Sequence, residues 1–187
     1  AAFPLTDLSL ARRLERTEAL ANVALVESRA RLDPQAGATW MEISGVYAMF
    51  DGPSSPLTQT FGLGLLEPAD EATFERLEAF FLERAAPVFH EVSPLADPAL
   101  LTQLNSRGYQ PVEHSSVRVR PTDLDLPQSS SAVRVRLIGP EEADLWSRVA
   151  GQGWGSESAE LADFIERFGQ VAVRSRNAFS FLAELDG

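Results

Sequence analysis

Residues 133–146, VRVRLIGPEEADLW, change their period part-way and so reveal the kind of chain this is. Val133, Val135 and Leu137 alternate with Arg134 and Arg136, the two-residue repeat of a strand with one apolar face. Pro140 then stands where a first helical turn tolerates a missing N–H, and Glu141, Glu142 and Asp144 complement the positive end of the helix that follows. A strand that hands over directly to a helix predicts an α/β or α+β fold.

Downstream, Gly151 to Gly155 reads as a loop and Ser156 as the cap of a second helix with Leu161, Phe164, Ile165 and Phe168 on one face. Residues 178–185 read as a strand that meets Asp186-Gly187. Upstream, PTDLDLPQSSS at 121–131 has the Pro, Ser and Asp content of a linker, which predicts two units, 1–127 and 128–187.

Within the first unit, Thr6 to Leu32 reads as one amphipathic helix with Leu10, Leu14, Ala21 and Leu25 inward and Arg12, Arg13, Glu15, Arg16 and Glu18 outward. Residues 39–50 and 58–66 read as paired strands about Asp51-Gly52-Pro53. A helix opens at Pro68 and carries Phe74, Leu77, Phe81 and Ala85. A short strand at 88–92, a helix from Asp97-Pro98 to its closing Gly108, and a strand at 110–120 complete the order. Ala48 to Gly52 and Ala183 to Gly187 both end a strand in Asp-Gly, which suggests two copies of one unit, the second stopping at its hairpin turn.

At 187 residues, with 44% hydrophobic and 23% charged residues, the chain suits one large domain or one domain and part of another. It has no Cys, and all 16 of its basic residues are Arg. Thiol nucleophiles, disulfides, Schiff bases and P-loop lysines are therefore excluded. Only His90 and His114 are present, with no HExxH spacing and no GxSxG elbow, so neither a metal nor a hydrolase triad is expected. A net charge of -11 repels phosphate backbones and anionic lipid, so neither nucleic acid nor membrane is expected as partner. No run approaches the roughly 20 apolar residues of a membrane span, and the N-terminus lacks signal-peptide order, so a cytoplasmic location is expected.

Taken with this element order, 133–146 resembles the opening strand and first helix of the GNAT acetyltransferase superfamily. Asn105-Ser106-Arg107-Gly108-Tyr109-Gln110 resembles the Gly-aromatic step out of that family's last helix. The resemblance implies a mixed β-sheet flanked by helices, a degenerate first GNAT-like domain at 1–127, and the N-terminal part of a second at 128–187. It further implies an acyl-CoA-dependent N-acyltransferase, with acetyl-CoA as cosubstrate and a small-molecule amine or a peptide N-terminus as acceptor. In that chemistry a base takes the ammonium proton before the amine attacks the thioester. The alternative is a non-catalytic GNAT-like binding, dimerisation or regulatory module, which leaves a homodimer open.

The family holds the CoA pyrophosphate on a Gln/Arg-x-x-Gly-x-Gly/Ala loop between a strand and a helix, at the helix N-terminus. Gln59 to Gly64 matches this pattern, but inside an expected strand, and Glu67, Asp70 and Glu71 occupy the following helix start. Carboxylates there repel phosphate by about 1 kcal/mol per pair even in water, so the first unit is expected not to bind CoA. Arg148 to Gly153 also matches, but it follows a helix, and Gly151 reads as that helix's cap. By the resemblance the 151–155 loop faces the acyl acceptor, with Trp154 as a wall of the pocket and Ser156 and Glu157 beside it. The family's proton-donating Tyr corresponds to Leu104, which has no proton to give, so the catalytic and CoA-contacting residues stay unassigned.

His90 and Glu91, adjacent on a strand, face opposite ways, and His90 between Val88 and Val92 reads as a hydrogen-bonded core residue. His114 beside Glu113 reads the same way. Arg118, Arg120, Arg134 and Arg136 alternate along strands and read as solvated faces, although four guanidinium groups could clamp an anion.

Overall fold

The first helix, α1 (Leu8–Leu32), begins where Asp7 Oδ1 accepts the Leu10 N–H at 2.8 Å. A short carboxylate here satisfies one of the N–H groups that every helix start leaves open. Its buried face is Leu10, Ala11, Ala19, Val23 and Val26, whereas Ala21, expected inward, is exposed. This computed structural model describes residues 6–119, 121, 132–156 and 158–185. It divides into two compact units, Ala1–Ala21 with Thr39–Pro127, and Asn22–Ala38 with Gln128–Gly187, so that α1 contributes to both.

In the first unit, β1 (Thr39–Ile43) and β2 (Val46–Phe50) are antiparallel and are joined at Ser44 and Gly45, both with positive φ, 49° and 69°. Two consecutive positive φ values make the tight turn that suits a twisted hairpin, so the single strand expected over 39–50 is a hairpin. β3 (Thr60–Phe61) pairs with β2 through Tyr47 and Phe61, which makes β2 central and buried along its whole length. α2 (Glu71–Leu82) is capped by Asp70, whose side chain accepts the Thr73 N–H at 2.8 Å. α3 (Pro98–Ser106) follows Asp97 and ends before Gly108, which takes φ 84°. Val46, Ala48 and Phe50 of β2 meet Phe74, Leu77 and Phe81 of α2 and Leu100 and Leu104 of α3 in one core.

Three expected strands shrink. The strand over 58–66 is only Thr60–Phe61, because Gly62 and Gly64 turn the backbone into the left-handed region at φ 84° and 66°. The strand over 88–92 is a single parallel bridge from His90 to Thr60. The strand expected over 110–120 is absent among the described residues 110–119, which are irregular and mostly exposed. Apolar alternation makes a strand only where a neighbour offers a free edge.

The second unit pairs β4 (Val133–Leu137) antiparallel with β5 (Phe181–Leu185), Val135 opposite Ala183. Between them lie α4 (Ala143–Trp154) and α5 (Ala159–Ala172). The loop expected at 151–155 is helical through Trp154, and Ser158 rather than Ser156 caps α5, accepting the Leu161 N–H at 3.0 Å. Arg136 ties the sheet to the start of α4, donating to both Glu142 oxygens at 2.7 Å and to Glu184 Oε1 at 2.8 Å.

The glycines of α4 and α5 mark where the two helices touch. A Cβ at Gly169 would stand 2.6 Å from Ser147 Oγ, and one at Gly151 would stand 3.0 Å from the Ala162 carbonyl oxygen. Gly151 is therefore a packing residue inside a helix and not a cap. The protein is a mixed α/β structure with, among the described residues, five helices and two small antiparallel sheets in place of one mixed sheet. No helix among the described residues is long and apolar enough to cross a membrane.

Close packing gives opposite expectations for two glycines of this unit. Gly169→Ala forces the added methyl into Ser147 and is expected to destabilise by about 1–3 kcal/mol. Gly153→Ala meets open space within α4 and is expected to stabilise by up to about 1 kcal/mol. Denaturant unfolding of the two variants beside the parent checks both signs.

Candidate functional site

β3 leaves its ladder at Gly62, where a Cβ would stand 3.0 Å from the Gly45 carbonyl oxygen. At Gly64 a Cβ would stand 2.8 Å from Leu100 Cδ2. Both glycines thus permit close packing as well as positive φ. The turn they make, closed by the Leu65 N–H on the Gly62 carbonyl at 3.1 Å, is gripped from α1 at both ends. Gly62 N–H donates to Glu15 Oε2 at 2.9 Å, and Arg12 Nε donates to the Leu65 carbonyl at 2.8 Å.

Glu15 is half-buried and accepts one hydrogen bond among the described residues. Its carboxyl is pushed up to about 7, first by loss of hydration and then, against the downward pull of the Gly62 N–H, by the charges of Glu91 and Glu18. Glu91 is itself raised, first by burial and then by Glu18 and Glu113. Carboxylates from α1, from the His90 bridge and from the 110–119 segment therefore share one field. Such a site can take up or release a proton near neutral pH, and it repels anions.

His90, read from the sequence as a core residue, is half-buried beside the core. Its Nδ1 lies 2.8 Å from Thr60 Oγ1, and its ring packs against Tyr109 at 4.8 Å and edge-on to Phe74 at 6.3 Å between centroids. Burial pushes the imidazole down to about 4, so it is neutral at pH 7. Tyr109 donates to Glu78 Oε1 at 3.2 Å and is pushed up to about 12 by burial and by that carboxylate, so it keeps its proton. Arg107 pairs with Glu78 at 2.8 Å and with Glu71, and its guanidinium lies 4.7 Å over the Phe74 ring. Leu104, which the resemblance would set in the place of a proton donor, is buried in the core.

Neither glycine pattern fits a CoA pyrophosphate. At 59–64 the Gly62 N–H already holds a carboxylate, and the start of α2 carries Asp70 on the Thr73 N–H. At 148–153 the pattern lies inside α4, where Gly151 faces Ala162 of α5. The expected acceptor-pocket residues do not gather into a recess among the described residues. Trp154 ends α4 with 48% of its surface exposed, Ser156 is exposed in the turn that follows, and Glu157 lies outside the described residues. Arg136 is committed to Glu142 and Glu184, Arg134 and Arg118 are exposed, and Arg120 lies outside the described residues, so no four-arginine clamp is seen.

Glu15 was legible in principle. It stands midway between buried Ala11 and Ala19 at i, i+4 and i+8, a carboxylate on an otherwise small apolar stripe, although its flanking charges make it read as solvated. No protein-family model, no curated protein and no solved structure matches the chain.

The upward shift of the Glu15 carboxyl has a definite sign. The folded protein binds this proton up to about 7 against an ordinary 4.5, so the fold is favoured at low pH and loses that margin as pH rises through this window. Glu15→Gln keeps an oxygen for the Gly62 N–H and removes the charge. Its thermal midpoint is expected to exceed the parent's at pH 8 and to converge on it by pH 5. Equal midpoints at pH 8 would contradict the buried charge.

Proposed function

We propose that the chain belongs to an acyl-CoA-dependent N-acyltransferase of the GNAT type, in which residues 1–127 are a non-catalytic GNAT-like domain. Acyl transfer from acetyl-CoA to an amine is assigned to the unit that begins at 128. The observation that carries this reading is element order. In the first unit a hairpin, β3, α2, a bridge parallel to β3 and α3 follow one another, and in the second a strand, two helices and an antiparallel strand do. They follow the order on which the resemblance rests except at 110–119, where the expected strand is absent among the described residues.

The non-catalytic role of the first unit is supported by the Glu15 contact with Gly62 at 2.9 Å. An amide that already holds an internal carboxylate has no donor left for a phosphate oxygen, and the surrounding carboxylates oppose its approach. The same observation favours the second reading, a binding, dimerisation or regulatory role for this unit. The net charge of -11 suits attraction of a cationic amine.

The protein is expected to release thiol from acetyl-CoA in the presence of amines, through the unit that begins at 128 and not through residues 1–127. Absence of both thiol release and heat on calorimetric titration of the protein with acetyl-CoA overturns the acyltransferase reading. Saturable heat with residues 1–127 alone overturns the non-catalytic first unit.

A further inference from the structure

Three of the 16 arginines meet in one groove of the second unit, in a protein whose net charge is -11. The groove, about 410 Å³, lies between the last turn of α1 and the C-terminal half of α5. Arg29 reaches it from α1, Arg167 from α5, and Arg174 from just past α5, with Asp33 as the one carboxylate in its wall. Leu32 and Val171 give it an apolar floor.

The helix ends explain part of this charge. A cation near a helix C-terminus complements the dipole, and Arg174 Nη1 does so by donating to the Gln170 carbonyl at 3.0 Å and to Gln170 Oε1 at 2.6 Å. Arg29 Nη2 reaches Asp33 at 3.3 Å. Two features go beyond that account. Arg167 lies more than a turn before the end of α5 and has no ion pair or hydrogen bond among the described residues. Arg29 Nε is buried and has no acceptor among them. Arg29 Nε is itself closed to solvent, but each of the three guanidinium groups has N–H groups beyond the bonds just described, and an oxyanion lying between them is the partner they can share.

We infer that this groove binds a phosphomonoester, its phosphate held by Arg29, Arg167 and Arg174 and its organic part lying on Leu32 and Val171. Three guanidinium groups against one carboxylate leave two positive charges, which match the roughly -1.5 to -2 of a phosphomonoester at pH 7. A carboxylate ligand would neutralise only half of them. The planar fork of Arg presents paired N–H groups to phosphate oxygens, and a space of this size lies in the range of about 300–1,000 Å³ for small-molecule sites, larger than phosphate alone requires. The inference is independent of acyl transfer and of the glycine patterns.

The test is calorimetric titration of residues 1–187 with glycerol phosphate, inorganic phosphate and acetate at matched ionic strength. Glycerol phosphate is expected to saturate the site, inorganic phosphate to bind more weakly, and acetate not to bind. Arg167→Ala removes an exposed side chain and is expected to weaken the ester at least tenfold, with an unchanged unfolding curve showing that the fold is kept. Arg76→Ala, an exposed arginine of the first unit, is expected to leave affinity unchanged. Failure of glycerol phosphate to saturate, or equal affinity in Arg167→Ala, overturns the site. Inorganic phosphate binding as tightly as the ester overturns the ester as ligand.

Discussion

The turn from Gly62 to Leu65 is the constraint around which the first unit is arranged. α1 holds its leading N–H through Glu15 and its trailing carbonyl through Arg12, two side chains one turn apart on the same helix. With the turn held, Thr60 and Phe61 are set on the edge of β2, and Thr60 is set to receive the His90 bridge. A Cβ at Gly62 would meet the Gly45 carbonyl oxygen and one at Gly45 would meet Leu66 Cβ at 2.8 Å, so neither position tolerates a side chain without movement. The grip has a cost, since Glu15 is drawn out of water with one amide as partner and other carboxylates nearby, and its acidity moves to the neutral range as a result.

The same grip bears on function. A glycine-rich turn can offer backbone N–H groups to an anion only while they are free. Here an internal carboxylate holds one, and at the start of α2 the Asp70 side chain holds another. In the second unit the glycines serve helix contact, Gly151 against Ala162 and Gly169 against Ser147. Positive charge collects elsewhere, between α1 and α5, where the chain shows no glycine pattern. What this protein offers an anion is guanidinium groups rather than a backbone cradle.

Helices were the readable part of the fold because their signals are local. Asp70 and Asp97 cap, Pro98 opens and Gly108 closes as their chemistry requires. Strands were less readable, since a strand needs a partner. The alternation at 110–119 has none among the described residues, that at 88–92 finds one bridge, and that at 39–50 conceals a turn at Ser44-Gly45. Ser156 lost its place to Ser158 because α4 runs on through Trp154, with Gly151 packed against α5.

Composition alone excluded thiol and lysine chemistry, and local periodicity alone placed the long first helix and the two helices between β4 and β5. These depend on residue identity or on neighbours a few positions away. Which carboxylate is buried, which glycine is a packing contact and which arginines share a groove were decided only by tertiary structure. Glu15 and Gly62 are 47 positions apart, and Arg29 and Arg174 lie on elements separated by most of the chain. A side chain's protonation and partners follow from the solvent and charges that folding leaves around it, and no window of sequence contains those.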